Sequence, residues 1–143
     1  MATPSSVTLP GEMDSLHALI GFVTSYAGEQ GFVGKKISAV ELALEEVLVN
    51  IIKHAYKESG IEGTIEIRCR KDDAGSLIIE IMDYGMPFDI FSVSEPDISA
   101  DIDERQIGGL GIFFVKKLMD DVHYRRENDR NILTLVANNT LPQ

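Results

Sequence analysis

The sequence predicts an α+β fold: a two-layer sandwich with helices on one face of a mixed, mainly antiparallel sheet. Three observations predict it. Apolar residues recur at helical spacing in two stretches near the start of the chain, two pairs of short strand-like runs are each closed by a polar turn, and an apolar helix pattern separates the pairs.

The elements follow in chain order. From Asp14 the positions Leu16, Leu19, Ile20, Val23, Tyr26 and Ala27 form one helical stripe, with Asp14 or Ser15 as the N-cap and an end near Gly28 or Gly31. A second helix is expected from about Lys35 to Tyr56, where Val40, Leu44, Val47, Ile51 and Ala55 share a stripe that Leu48 and Ile52 widen. Thr64 to Arg70 and Leu77 to Met82 read as strands joined by the turn from Lys71 to Ser76. Periodicity is then lost from Asp83 to Ile107, and the part from about 88 to 107 is expected to be a variable lid loop. A third helix, from about Leu110 to Met119, precedes a second hairpin, Val122 to Arg126 and Asn131 to Val136, turned by Glu127-Asn128-Asp129-Arg130. No internal repeat breaks this pattern, so residues 1–143 are expected to form one domain.

Composition narrows the function classes. A chain of 143 residues with 44% hydrophobic and 25% charged residues is ordinary globular material, and no apolar run approaches the roughly 18 residues of a membrane helix. The first residues lack a basic segment followed by a long apolar one, so the expected location is cytoplasmic, with no membrane partner. A formal charge of -10 argues against direct nucleic-acid binding, which draws on Lys and Arg. It leaves room for a single nucleotide in a pocket of backbone N–H groups and metal. The single cysteine, Cys69, falls within a strand-like run and is read as structural.

Three groups of residues carry candidate chemistry. Glu46, Asn50 and His54 are spaced four apart on the second helix and line up along one side, with Lys53 close by. Asn50 sits among Val47, Leu48, Val49, Ile51 and Ile52, so its amide requires a partner. It either bridges to a neighbouring loop or offers its oxygen to a hard ion such as Mg²⁺; Glu46, one turn earlier, suits the deprotonation of a hydroxyl. Asp83-Tyr84-Gly85 ends a strand, which is ordinary turn chemistry as well as a place for a ligand-binding carboxylate. Gly108-Gly109-Leu110-Gly111 opens an apolar helix, either as a simple hinge or as a close backbone approach to phosphate.

In this order and spacing the groups resemble the Bergerat-type (GHKL, histidine kinase-like) ATPase superfamily, which includes gyrase, Hsp90 and the histidine kinases. Within it the chain is most similar to the bacterial anti-sigma factor serine/threonine kinases. The likeness is carried by Glu46 to Glu58, by Asp83-Tyr84-Gly85-Met86-Pro87-Phe88, and by Gly108 to Asp120. It implies ATP and Mg²⁺ as cofactors, with Asn50 as the metal ligand, Glu46 as the general base and Lys53 and His54 beside the nucleotide. Asp83 would accept from the adenine amino group, Gly85 would admit the base, and Gly109, Leu110 and Gly111 would wrap the phosphates. Arg105 would be a lid cation, and Thr134 a hydroxyl that supports Asp83. The implied partners are an anti-anti-sigma antagonist protein, phosphorylated on serine, and a sigma factor or equivalent regulator; a homodimer is also implied. The alternative is a non-catalytic ATP-binding module that sequesters a partner. One departure is Pro87, where many members carry the second glycine of Asp-x-Gly-x-Gly.

Overall fold

The computed structural model describes residues 4–57, 60, 62–87 and 107–139. Its elements are β1 (Ser5–Pro10), a short 3-10 turn (Met13–Ser15), α1 (Leu16–Glu29), α2 (Lys35–Asn50), a π-helical segment (Ile51–Lys57), β2 (Thr64–Lys71), β3 (Leu77–Asp83), α3 (Ile107–Leu118), β4 (Asp121–Glu127) and β5 (Arg130–Ala137). The five strands lie in the order β1-β2-β3-β5-β4. Every pairing is antiparallel, so the sheet is not mixed among the described strands.

Alternation along the strands assigns one sheet face to the helices. Ile65, Ile67 and Cys69 of β2, Ile79 and Ile81 of β3, and Leu133 and Leu135 of β5 are all buried there. Against them pack Leu19 and Val23 of α1, Val40, Leu44, Val47 and Leu48 of α2, and Val115 of α3, forming one core. Cys69 is part of this core, where burial pushes its thiol pKa up to about 12, as expected of a structural cysteine. The opposite face is mostly polar. There Arg125 meets Glu80 at 3.4 Å, Arg68 meets Glu66 at 3.0 Å, and Arg130 Nη1 lies 3.5 Å from the Met82 sulfur.

Several boundaries differ from the sequence expectation. β1 was not anticipated; it pairs from Ser5↔Cys69 to Pro10↔Thr64 and uses Val7 and Leu9 to cover the core edge. Ser15 stands at the N-cap position of α1, but its side chain makes no capping bond. α3 begins at Ile107, three residues before the expected start, so Gly108, Gly109, Leu110 and Gly111 are helical. Apolar packing of the later turns, with Val115 in the core, outweighs the roughly 1 kcal/mol by which each glycine disfavours a helix. Both hairpin turns form where expected. Asp72 Oδ1 accepts from the N–H groups of Ala74 and Ser76 in the first, and Asn128 and Asp129 take positive φ values of 53° and 62° in the second. The expected lid, apart from Ile107, lies outside the described residues.

Candidate functional site

Two elements meet at one end of the sheet to build the site. The first is the long helix, whose α-helical part ends at Asn50 and widens into the π segment. Asn50 Nδ2 donates to the Glu46 carbonyl at 2.8 Å. A carbonyl demands the amide N–H on that side, so Oδ1 is turned outward, the orientation a cation ligand needs. Glu46 is half-buried, and its pKa is raised first by burial and second by the neighbouring Glu45 charge. A carboxylate raised in this way is a better proton acceptor. Lys53 and His54 are exposed on the π segment.

The second element is the turn that leaves β3. Asp83 is only 2% exposed, although a lone carboxylate seldom tolerates such burial. Its Oδ1 accepts from Gly85 N–H at 2.8 Å and Asn131 Nδ2 at 3.0 Å. Burial dominates and raises its pKa, opposed by Asn131, by the Gly85 N–H and by the Arg126 charge. The turn is also pinned from outside. Arg126 Nη1 donates to the Gly85 carbonyl at 2.7 Å, Asn131 Nδ2 donates to the Met86 carbonyl at 2.9 Å, and Tyr84 N–H donates to the Tyr56 hydroxyl at 2.8 Å. Tyr56 in turn donates to the Thr64 carbonyl at 2.7 Å, and its ring fills the space that any side chain at Gly11 or Gly63 would need.

Gly85 joins the two halves. A methyl group there would stand 2.5 Å from the Ala55 Cβ, so only glycine lets the turn lie flat on the π segment. Glu46 and Asn50 thus share a rigid helix with the residue that touches the Asp83 turn. Tyr84 and Met86 on either side of Gly85 are 51% and 66% exposed and form an apolar rim.

Not every expected residue joins this cluster. Thr134 pairs with Glu80 of β3 and His123 of β4, on the sheet face opposite Asp83, so it does not support that carboxylate. Asn131, the register partner of Asp83, does so instead. Gly109, Leu110 and Gly111 belong to α3 and not to a preceding loop, because the helix starts at Ile107. Arg105 lies outside the described residues. Sequence reasoning missed Ala55, Tyr56, Arg126 and Asn131. Asn131, a polar residue heading the apolar run Ile132 to Val136, was the available signal.

Comparison with known proteins agrees with this fold. The model of the histidine kinase-like ATPase domain matches residues 9–137. The chain belongs to that family. Curated relatives include the serine-protein kinase RsbW of Listeria monocytogenes, 32% identical over 105 residues, and that of Bacillus cereus, 31% identical over 111 residues. These alignments cover 70% and 75% of this chain, and 65% and 68% of the relatives. The chain therefore spans about 65% of the length of the Listeria protein. Among solved structures, the RsbU and RsbW domains of a Mycobacterium tuberculosis protein superpose with a TM-score of 0.67 at 15% identity, over 96% of this chain and 32% of that one. The histidine kinase domain of a blue-light activated kinase from Erythrobacter litoralis gives 0.52 at 16% identity, over 86% and 60%. Both likenesses are of fold. No helix among the described residues is long and apolar enough to cross a membrane.

Proposed function

We propose that this chain is an anti-sigma regulatory serine/threonine protein kinase, which transfers the γ-phosphoryl group of ATP to a serine of an anti-anti-sigma antagonist and also binds a sigma factor or equivalent regulator. The observation that carries the reading is the Gly85–Ala55 contact, which sets a buried, doubly bonded carboxylate against the helix that bears Glu46 and Asn50. The names of the curated relatives support the reaction class. On this reading the protein works in the cytoplasm, and a homodimer is its proposed assembly.

Adenine would lie beside the Gly85–Ala55 contact, with its exocyclic amino group donating to Asp83. The polyphosphate would run along the helix toward Asn50, past Lys53 and His54. Gly109, Leu110 and Gly111 at the start of α3, together with Arg105, are the proposed phosphate contacts. Asn50 Oδ1 fits Mg²⁺: it is a hard oxygen ligand turned outward, and the ion usually completes its shell with phosphate oxygens and water. When bound, Mg²⁺ would supply charge neutralisation at the phosphates. Glu46 takes the proton from the attacking serine hydroxyl as the Oγ–phosphorus bond forms and the bond to the β–γ bridging oxygen breaks, leaving ADP and phosphoserine.

The test is incubation with labelled ATP, Mg²⁺ and candidate antagonist proteins, with phosphoserine read by mass spectrometry. Glu46→Gln retains nucleotide binding and lowers transfer by about 10²- to 10⁴-fold, the usual range for a positioned base. ATP binding without transfer to any antagonist leaves the chain as a sequestering module. Transfer by Glu46→Gln at the wild-type rate removes Glu46 from the proton's path.

A further inference from the structure

The Asp83 carboxylate is held on one side only. Both protein donors reach Oδ1, and among the described residues no hydrogen bond is made to Oδ2. One of those donors is Asn131, an amide whose two ends could in principle be exchanged. Its surroundings fix which end faces Asp83. The Tyr124 hydroxyl lies 2.7 Å from Asn131 Oδ1, while Nδ2 faces three acceptors: Asp83 Oδ1, the Met86 carbonyl and, at 3.5 Å, the Gly85 carbonyl. Reversing the amide would aim an oxygen at all three.

We propose that Asn131, oriented by Tyr124, is the positioning residue that fixes Asp83 as a one-sided acceptor and thereby makes the pocket select a base with an exocyclic amino group over one with a carbonyl there. This rests on the nucleotide reading above and assigns its selectivity to residues outside the ligand contact. The argument is geometric. With Oδ1 saturated by the Gly85 N–H and Asn131, the carboxylate cannot rotate without losing both bonds, so Oδ2 keeps one direction. A carbonyl edge brought to Oδ2 opposes acceptor to acceptor, as guanine would, whereas an amino edge supplies the missing donor.

Asn131 also influences the charge on Asp83. The other elements around the carboxylate contribute Arg126 from β4, Tyr56 from the π segment and uncharged Ile65 from β2, with Tyr84 next in the chain. Burial pushes the Asp83 pKa up and Asn131 holds it down, so removing the amide raises it further. A protonated Asp83 loses the acceptor that the amino edge needs.

The experiment uses the full chain, with wild type, Asn131→Ala and Tyr124→Phe. The Asp83 carboxyl is titrated by ¹³C NMR without nucleotide and assigned by loss of its signal in Asp83→Asn, and ADP and GDP affinities are measured by calorimetry across pH. Asn131→Ala is expected to raise the Asp83 titration midpoint, weaken ADP at least tenfold at neutral pH, and narrow the ADP preference over GDP. Its ADP loss deepens as pH falls. Tyr124→Phe moves each quantity the same way by a smaller factor. An ADP loss equal at every pH, with an unmoved Asp83 midpoint, overturns the assignment and leaves Asn131 a merely structural residue. If the midpoint moves in the ligand-free protein while wild type binds neither ADP nor GDP, the control of Asp83 by Asn131 stands, and the nucleotide reading falls with the selectivity drawn from it.

Discussion

Replacing Gly85 by alanine tests the contact on which the site depends. The added methyl would stand 2.5 Å from the Ala55 Cβ, 3.1 Å from its Cα and 3.0 Å from Asp83 Oδ1. Carbon atoms pack at about 3.5–4.0 Å, so the turn and the helix must part by roughly 1 Å. Ala55 has no rotamer through which to yield, because the atoms in the way belong to the helix itself. Overpacking of this kind costs about 1–3 kcal/mol, or roughly 3–10 °C in Tm for a domain of this size. The displacement also disturbs Asp83, so ADP affinity is expected to fall by about an order of magnitude, as on loss of one hydrogen bond to a charged acceptor. Pairing the change with Ala55→Gly removes the closest contact but adds about 1 kcal/mol of helix cost, so the double variant regains binding more fully than stability. Urea unfolding and calorimetry on the four proteins read both quantities. Wild-type affinity in Gly85→Ala, with stability unchanged within about 0.5 kcal/mol, would refute the close approach.

Other variants separate the roles of neighbouring groups. Asn50→Ala is expected to weaken Mg²⁺-dependent ADP binding by roughly tenfold, about 1.4 kcal/mol, while leaving metal-free binding near wild type, as measured by calorimetry with and without chelator. Tyr56→Phe keeps the ring against Gly11 and Gly63 but leaves the Tyr84 N–H and the Thr64 carbonyl without the hydroxyl, costing about 1–3 kcal/mol in urea unfolding. Because burial raises the Asp83 pKa above its ordinary value of 3.8, the folded chain holds that proton more tightly than the unfolded one. The resulting stability is fully present below that ordinary value and is lost as pH rises through the folded-state pKa. Asp83→Asn therefore has a higher urea midpoint than wild type at pH 7, and that advantage shrinks on acidification; a lower midpoint at pH 7 would contradict the cost assigned to burial.

Local patterning made the helices and hairpins legible in the sequence, since the stripe from Val40 to Ile52 and the alternation of Thr64 to Arg70 repeat within a few residues. β1 was not legible. It is short, ends in Pro10 and shows only Val7 and Leu9 to the core, so its strand character comes from pairing with β2. The start of α3 was masked by glycines whose low helix propensity is outweighed by the packing of later turns. The π segment eluded the reading because seven residues are too few to separate its period from that of an α-helix. Within the site, Glu46, Asn50, Asp83 and Gly85 stood out because spacing or turn chemistry marked them. Asn131 did not, because its role exists only once the β3–β5 register sets it opposite Asp83, 48 residues earlier.

The continuous helix from Lys35 to Lys57 has a consequence for how this chain tolerates change in length. Asn50 and Ala55 lie five residues apart on one rod, about one helical turn, and nothing flexible intervenes. On the proposed reading the rod acts as a gauge with the phosphate mark at one end and the base mark at the other. Residues added to the turns at 72–76 or 128–129 would bulge outward and leave the gauge intact. One residue added between Asn50 and Ala55 would rotate the two marks away from each other around the rod, so the segment from 46 to 56 is where the domain cannot accept a change of length.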